Sequence, residues 1–243
     1  MGRKKTETVL GDGFEYNPNL GRDAFLEAFF YNPESVLTMT EFMAGRLYAM
    51  ENKGKEHQSI RNSWWGINTL TKSGVARYKD SEGNNLVKVF PDLGKIADKL
   101  AQYPTAPNNE GILVTKDCIN SLEGFEFKRD NFNYHKKTEK QTVDGILEDP
   151  ILTGICADNP PILRRYLNKL FELGGIPEER TGGILNAHLT VSCDSGVDEP
   201  IINFYGMDFT IPLFSNSKLR NKISTPDMFL SCLDNYPAVL RKF

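Results

Sequence analysis

The sequence predicts an α+β fold, for three reasons. In the first half of the chain, apolar residues recur at α-helical spacing in separate segments. Directly after them, two short runs of strand-forming residues lie on either side of a polar turn. The second half combines strand-like runs with an amphipathic helix, so the sequence favours neither an all-α nor an all-β fold.

Length and composition set the limits of this fold. The chain has 243 residues, of which 40% are hydrophobic, enough to bury a core in one or two domains. We expect a flexible arm at 1–21, a first domain at 22–103 and a C-terminal domain at 111–243, because Pro, Asn and Gly cluster between the domains. No apolar run is long enough for a membrane span, and the N-terminus has no secretory signal, which favours a cytoplasmic protein.

Two helices are predicted before residue 52. Residues 23–30 form a short apolar segment that ends at a Pro-containing break at 32–35. The next helix begins near Thr38 or Thr40, either of which is a suitable N-cap. Its apolar stripe repeats at i, i+4 and i+7 and consists of Met43, Leu47 and Met50.

A third helix is predicted over residues 60–72, with Gly74 ending it. Its apolar stripe repeats at i, i+4, i+7 and i+10 and consists of Ile60, Trp64, Ile67 and Leu70. The opposite face is polar, and Arg and Asn are side chains that pair with guanine and adenine edges in the major groove of DNA. This polar face includes Arg61, Asn62, Trp65, Asn68 and Lys72.

A β-hairpin is predicted next. Residues 75–79 and 86–90 have strand composition, and the segment between them is rich in Asp, Ser, Gly and Asn. These turn residues favour a tight connection between the two strands. The pattern therefore places a hairpin directly after the third helix.

The order helix, helix, helix, strand, turn, strand resembles the winged helix-turn-helix superfamily over about a third of the chain. This resemblance implies that the third helix reads double-stranded DNA in the major groove and that the hairpin is a wing on the DNA backbone. The net charge of −3 gives no overall basic field, but basic residues outnumber acidic ones over residues 43–90. The DNA-binding residues implied by position are Arg61, Asn62, Trp65, Asn68, Lys72, Arg77, Lys79 and Lys88.

The C-terminal domain is predicted to be mixed α/β, with strands near 188–191, 201–205 and 209–214 and a final helix at 225–230. Residues 167–174 match 67–74 in their apolar, Asn, Leu and Gly positions. A repeat would make this domain a second winged helix, and the chain would then resemble plasmid replication initiators. We prefer the other interpretation, a chance match in an amphipathic helix that ends in Gly. This acidic half is the candidate surface for homodimer formation.

The expected function is DNA binding, as a transcription regulator or a replication initiator of the plasmid or phage type. Asp92, Glu126 and Lys128 give a second hypothesis, a restriction-type nuclease in which two carboxylates bind a divalent metal beside a lysine. We prefer to interpret Asp92 as a helix N-cap. The third hypothesis is a winged-helix module for protein interaction or assembly. The four cysteines and three histidines are scattered, so no catalytic residue, metal or cofactor is assigned.

Overall fold

The computed structural model confirms an α+β chain. It describes residues 14–17, 22–51, 69–105, 111–128, 143–148, 150–173, 187–188, 200–208, 227–230 and 238–241. Within these residues, nine strands form one sheet, and helices cover both of its faces. None of the described helices is long and apolar enough to cross a membrane.

The helices of the described residues are mostly short. They are α1 (Arg22–Tyr31), α2 (Met39–Glu51), α3 (Ala97–Leu100), α4 (Lys116–Ser121), α5 (Val143–Leu147), α6 (Pro150–Ile155) and α7 (Pro160–Leu173), with 3-10 helices at Pro33–Ser35 and Leu93–Ile96. The strands are β1 (Phe14–Asn17), β2 (Thr69–Lys79), β3 (Asn85–Phe90), β4 (Ile112–Leu113), β5 (Phe125–Lys128), β6 (Ala187–His188), β7 (Ile201–Asp208), β8 (Asp227–Leu230) and β9 (Ala238–Arg241).

Strand β2 is the centre of the sheet. Antiparallel β7 runs along one side of it, while β9 and then antiparallel β3 occupy the other side. Beyond β7 lie β8 and β6, and β1 pairs with β9. Strand β5 pairs with β3, and β4 pairs with β7. The sheet therefore joins strands from both sides of residues 103–111, and the domain boundary there stays a prediction.

The predicted hairpin is confirmed as β2 and β3. Val75 pairs with Val89, and Lys79 pairs with Asn85. In the turn, Asp80 Oδ1 accepts hydrogen bonds from the backbone N–H groups of Glu82 at 2.9 Å and Asn84 at 2.8 Å. Gly83 has φ +82°, which its lack of a Cβ permits. The hydrogen bond from the Asn84 side chain lowers the pKa of Asp80.

One face of the sheet packs against α1. The rings of Phe25 and Phe29 meet the ring of Phe204, on β7, edge-on at centroid distances of 5.0 and 4.8 Å. Such edge-to-face pairs are the favoured geometry of buried aromatic rings. Gly74 of β2 lies on this face, and a Cβ there would overlap Leu93 and lie 2.7 Å from the backbone oxygen of Asn203.

The opposite face packs against α2 and α6. Val75 and Val89 are fully buried there, and Gly154 of α6 lies against Val89. Both faces of β2 and β3 are thus covered by helices. A strand covered on both faces contributes to the core along its whole length.

Several predicted helices and caps are confirmed. Thr38 is the N-cap of α2, where its Oγ1 accepts from Glu41 N at 3.2 Å and Glu41 Oε2 accepts from Thr38 N at 2.8 Å. This reciprocal pair is a capping box. Asp92 Oδ1 accepts from Gly94 N at 2.8 Å, as the N-cap interpretation requires. In α7, Leu163 and Leu167 face the core.

The winged-helix arrangement is wrong. The third helix would include residues 69–72, but these belong to β2, and the proposed wing is the centre of a large sheet. Pairing with β7, β9 and β3 outweighs the helical spacing of the apolar residues, because strand formation depends on cross-strand packing more than on local preference. Residues 52–68 lie outside the described residues.

The match between residues 67–74 and 167–174 is not a structural repeat, in agreement with the chance match preferred above, whereas the predicted final helix is wrong. Residues 69–74 are strand, whereas residues 167–173 are helix, so the matching segments have different structures. A second winged helix therefore has no support. Residues 227–230 form β8 between β7 and β6 instead of a helix. The predicted strand at 209–214 lies outside the described residues.

Candidate functional site

The four residues implied as DNA contacts that the structure describes do not form an exposed basic face. Lys72, Arg77 and Lys88 are all buried in the sheet. Lys79 is exposed at the end of β2. The remaining four, Arg61, Asn62, Trp65 and Asn68, lie outside the described residues.

The side chain of Lys72 links β2 to the segment before α2. Its Nζ donates to the backbone oxygen of Pro33 at 3.2 Å and lies 3.7 Å from Asp92 Oδ1 and 4.0 Å from Glu34 Oε2. A buried ammonium needs such partners, because burial without them strongly disfavours the charge. Lys72 is therefore a structural residue that cannot reach a DNA phosphate.

Lys88 belongs to a cluster at the outer end of the sheet. Its Nζ donates to the backbone oxygen of Ile119, in the last turn of α4, at 3.1 Å. The same Nζ lies 3.9 Å from Glu126 Oε2, on β5. The hydroxyl of Tyr78, on β2, donates to the same oxygen of Glu126. Three neighbouring strands thus bring Tyr78, Lys88 and Glu126 together on one face.

Within this cluster, only the carboxylate is accessible to solvent. Tyr78 and Lys88 are each 7% exposed, whereas the side chain of Glu126 is 41% exposed. Burial raises the pKa of Tyr78, and the adjacent carboxylate raises it further. The neutral hydroxyl is therefore a permanent donor to Glu126 at physiological pH. A buried tyrosine and a buried lysine hold an accessible carboxylate in a fixed position.

Two aromatic side chains lie on the opposite face of β5. Phe125 is 52% exposed, and its ring centroid is 6.2 Å from that of Phe127. Among the described residues, β5 has β3 as its only strand partner, so it lies at the edge of the described sheet. Phe125 and Glu126 are consecutive and point to opposite faces, as strand geometry requires. We call Phe125, Glu126 and Phe127 the β5 surface.

The nuclease hypothesis is not supported by this arrangement. Asp92 serves as a helix cap beside Lys72, and Glu126 is occupied by Tyr78 and Lys88. Within the described part of the chain, no group of three or more His, Cys, Asp or Glu side chains could hold a metal ion. The two carboxylates thus have separate structural partners.

Residues 125–128 have a role that the sequence-based hypotheses do not include. They read Phe-Glu-Phe-Lys, an alternation of apolar and charged residues that is typical of a strand with two different faces. Glu126 and Lys128 were predicted only as parts of a metal site. The period-2 pattern was the signal that could have identified this strand. Tyr78 gave no comparable signal, because only the strand register brings it to Glu126.

Comparison with known proteins identifies a similar fold but no family. No family model matches the chain, and no curated protein is significantly similar to it in sequence. The chain is similar to a solved structure from work on the accommodation of massive sequence variation in Nanoarchaeota by the C-type lectin fold. The TM-score is 0.56 with 15% sequence identity, over 96% of this chain and 99% of the other. At this identity, the likeness concerns the fold.

These findings correct the expected function. A C-type lectin fold is not a winged helix, and three of the four described basic residues that would have contacted double-stranded DNA, Lys72, Arg77 and Lys88, are buried. The assignments as a DNA-binding transcription regulator, a replication initiator, a winged-helix nuclease or a winged-helix assembly module are therefore wrong.

Proposed function

We propose that this protein is a recognition module that binds a protein partner through the β5 surface. The observation that carries the proposal is the exposure of Phe125 beside Phe127 on an outer strand. Exposed aromatic side chains on a rigid element contribute strongly to protein interfaces, since they bury a large area with little loss of side-chain freedom.

The scaffold beneath this surface is well suited to recognition. Val87 and Val89, on the neighbouring strand β3, are buried, and Lys88 ties that strand to α4. The contact residues therefore lie on a strand whose position is fixed by its pairing with the buried strand β3. The similar Nanoarchaeota structure concerns a fold that accommodates massive sequence variation. The same tolerance in this chain would let surface residues suit a partner while the core stays unchanged.

One interface can include both faces of β5. A typical stable interface buries about 800 Å² on each partner, an area much larger than the edge of a single strand. A partner that approaches the outer strand can thus contact Phe125 on one face and Glu126 on the other. Phe125 supplies apolar contact, and Glu126 supplies a hydrogen-bond acceptor.

Selection from a phage-displayed library of random linear peptides, with the full-length protein as bait, tests the proposal. We expect enriched peptides with apolar residues, and we expect Phe125→Ala to weaken their binding by about 2 kcal/mol, roughly thirtyfold in Kd. Binding would be measured with synthetic peptides by calorimetry.

Tyr31→Ala is the matched control, because Tyr31 is an exposed aromatic residue at the end of α1 with 86% exposure. This variant should bind the peptides as the wild type does. The proposal is wrong if no peptide is enriched, if Phe125→Ala binds as tightly as wild type, or if a glycan array gives specific binding that depends on Phe125 instead.

A cytoplasmic location remains part of this proposal. Cys118 and Cys156 are both buried and unlinked by any disulfide. Burial raises the pKa of the Cys156 thiol, and the nearby Asp158 adds to this effect. Buried thiols of this kind are common in reducing compartments.

A further inference from the structure

We infer that Glu126 selects a lysine ammonium in the partner, next to the apolar group that packs on Phe125. This inference rests on the proposed function and names the chemistry of the partner. It follows from which oxygen of Glu126 is occupied, from the surrounding charges and from the rigidity of the cluster.

The two oxygens of the Glu126 carboxylate are not equivalent. Oε2 accepts the hydroxyl of Tyr78 and lies 3.9 Å from the ammonium of Lys88. Oε1 has no hydrogen-bond partner among the described residues, and the side chain is 41% exposed. An ionised carboxylate can only accept hydrogen bonds, so a group that binds Oε1 must be a donor.

The geometry favours a single-point donor over a forked one. An arginine guanidinium binds a carboxylate best through two parallel hydrogen bonds, one to each oxygen. At Glu126, Tyr78 and Lys88 already occupy the side of Oε2, so the second of these bonds would have to displace them. A lysine ammonium donates from a compact point and needs Oε1 alone.

The charges around β5 favour a cationic donor. The ammonium of Lys88 is buried and donates towards Ile119, away from solvent. Lys128, two residues after Glu126 on β5, is exposed and lies near Asp80 of the β2–β3 turn, whose carboxylate is an acid on that side of the strand. Glu123 and Glu126 are then the exposed acids of the segment that leads into and forms β5. A partner cation at Oε1 of Glu126 would complement the charge of the carboxylate whose position is fixed.

The test uses the most enriched peptide from the library and variants in which each lysine is changed to glutamine or to arginine. With wild-type protein, one lysine-to-glutamine change should weaken binding about tenfold, as expected for a hydrogen bond between charged groups. With Glu126→Gln, the same change should have almost no further effect. The arginine version should bind more weakly than the lysine version. Binding to wild type should weaken as salt rises, and Glu126→Gln should reduce that dependence.

The outcomes separate this inference from the proposed function. If peptides bind through Phe125 but lack lysine, or bind Glu126→Gln as tightly as wild type, the function stands and the inference is wrong. Tighter binding of the arginine version would also overturn it. If no peptide binds in a way that depends on Phe125, both are wrong. Glu123→Gln is the control for nonspecific attraction, since it removes an exposed acid near β5 and should leave the lysine preference intact.

Discussion

Two clusters in the described part of the chain combine a buried tyrosine with a buried cation, and they differ in their access to solvent. Between α2 and α7, Arg46 is fully buried, stacks 4.5 Å from the ring centroid of Phe42 and donates to the hydroxyl of Tyr166 at 3.3 Å. At the outer end of the sheet, Tyr78 and Lys88 are also buried, but both contact the half-exposed Glu126.

This difference separates a cluster that stabilises the fold from one that can also bind. In the helical cluster, the cation and the hydroxyl face each other inside the core. In the sheet cluster, the buried groups hold a carboxylate whose second oxygen faces outward. The presence of a buried charge thus does not show whether a cluster can bind a partner. The exposure of the group that the charge contacts shows it.

The largest expected effect is in the closed cluster. Arg46→Ala should lower the free energy of unfolding by about 3–5 kcal/mol, because it removes a fully buried, well-contacted cation and the packing of its stem. Urea denaturation followed by circular dichroism would measure the change. The control is Arg165→Ala on α7, whose guanidinium is exposed and pairs with Glu51 at 2.5 Å.

Exposed ion pairs contribute at most about 1 kcal/mol, so Arg165→Ala should be close to wild type in stability. Equal losses for the two variants would show that Arg46 is no more important than a surface arginine. The contrast between the closed cluster and the exposed surface would then fail.

An intermediate effect is expected at alkaline pH. Burial raises the pKa of both tyrosines, that of Tyr166 to about 12; Glu126 raises the pKa of Tyr78 further, while Arg46 partly lowers that of Tyr166. In the unfolded chain both should ionise near pH 10. The free energy of unfolding therefore has the full contribution of the two neutral tyrosines below about pH 10. Above that pH it falls by up to about 1.4 kcal/mol per pH unit for each tyrosine.

Urea denaturation between about pH 8 and 11.5 would measure this decline. Tyr78→Phe and Tyr166→Phe should each make the decline shallower, because each removes one ionising group. If neither variant changes the slope, the alkaline loss of stability comes from other groups, and the two clusters are not comparable in this respect.

The smallest effect is expected at the open cluster. Glu126→Gln keeps an acceptor for Tyr78, removes a half-exposed charge, and leaves the ammonium of Lys88 its hydrogen bond to the backbone oxygen of Ile119. We therefore expect a change in unfolding free energy of less than about 1 kcal/mol at neutral pH. Thermal unfolding followed by circular dichroism would check it. A loss as large as that of Arg46→Ala would make Glu126 a core residue and would contradict its role as a contact residue.

The sequence predicts local elements of this fold well. The N-caps at Thr38 and Asp92 and the β2–β3 hairpin depend on neighbouring residues, and all are present. The helical spacing up to Leu70 was misleading, because the state of β2 is set by strands distant in sequence. Burial of Lys72 and Lys88 was equally unpredictable. Each ammonium reaches a backbone oxygen, of Pro33 or Ile119, that only the tertiary fold supplies.

The candidate site depends on both kinds of information. The alternation in residues 125–128 indicates a strand with two different faces. The exposure of Phe125 could not have been predicted, because the pattern alone would place the apolar face inward. Nor could the contact between Tyr78 and Glu126, because it requires the register of β2 with β3 and of β3 with β5. Sequence alone therefore identifies the strand that carries the site. The pairing of β2, β3 and β5 is needed to identify the residues that contact Glu126.

The central position of β2 also has a consequence for how the chain folds. The hairpin with β3 closes a short loop and can form early, whereas pairing with β7 joins segments separated by more than half of the chain. Contacts between distant segments slow folding, because the entropy of closing a long loop is lost before they form. During synthesis, Phe25 and Phe29 cannot form their ring contacts with Phe204 until β7 has been synthesised, so this face of the core packs late. Until then the nascent chain exposes an apolar helix face and an unpaired strand edge, both of which are suitable substrates for a chaperone.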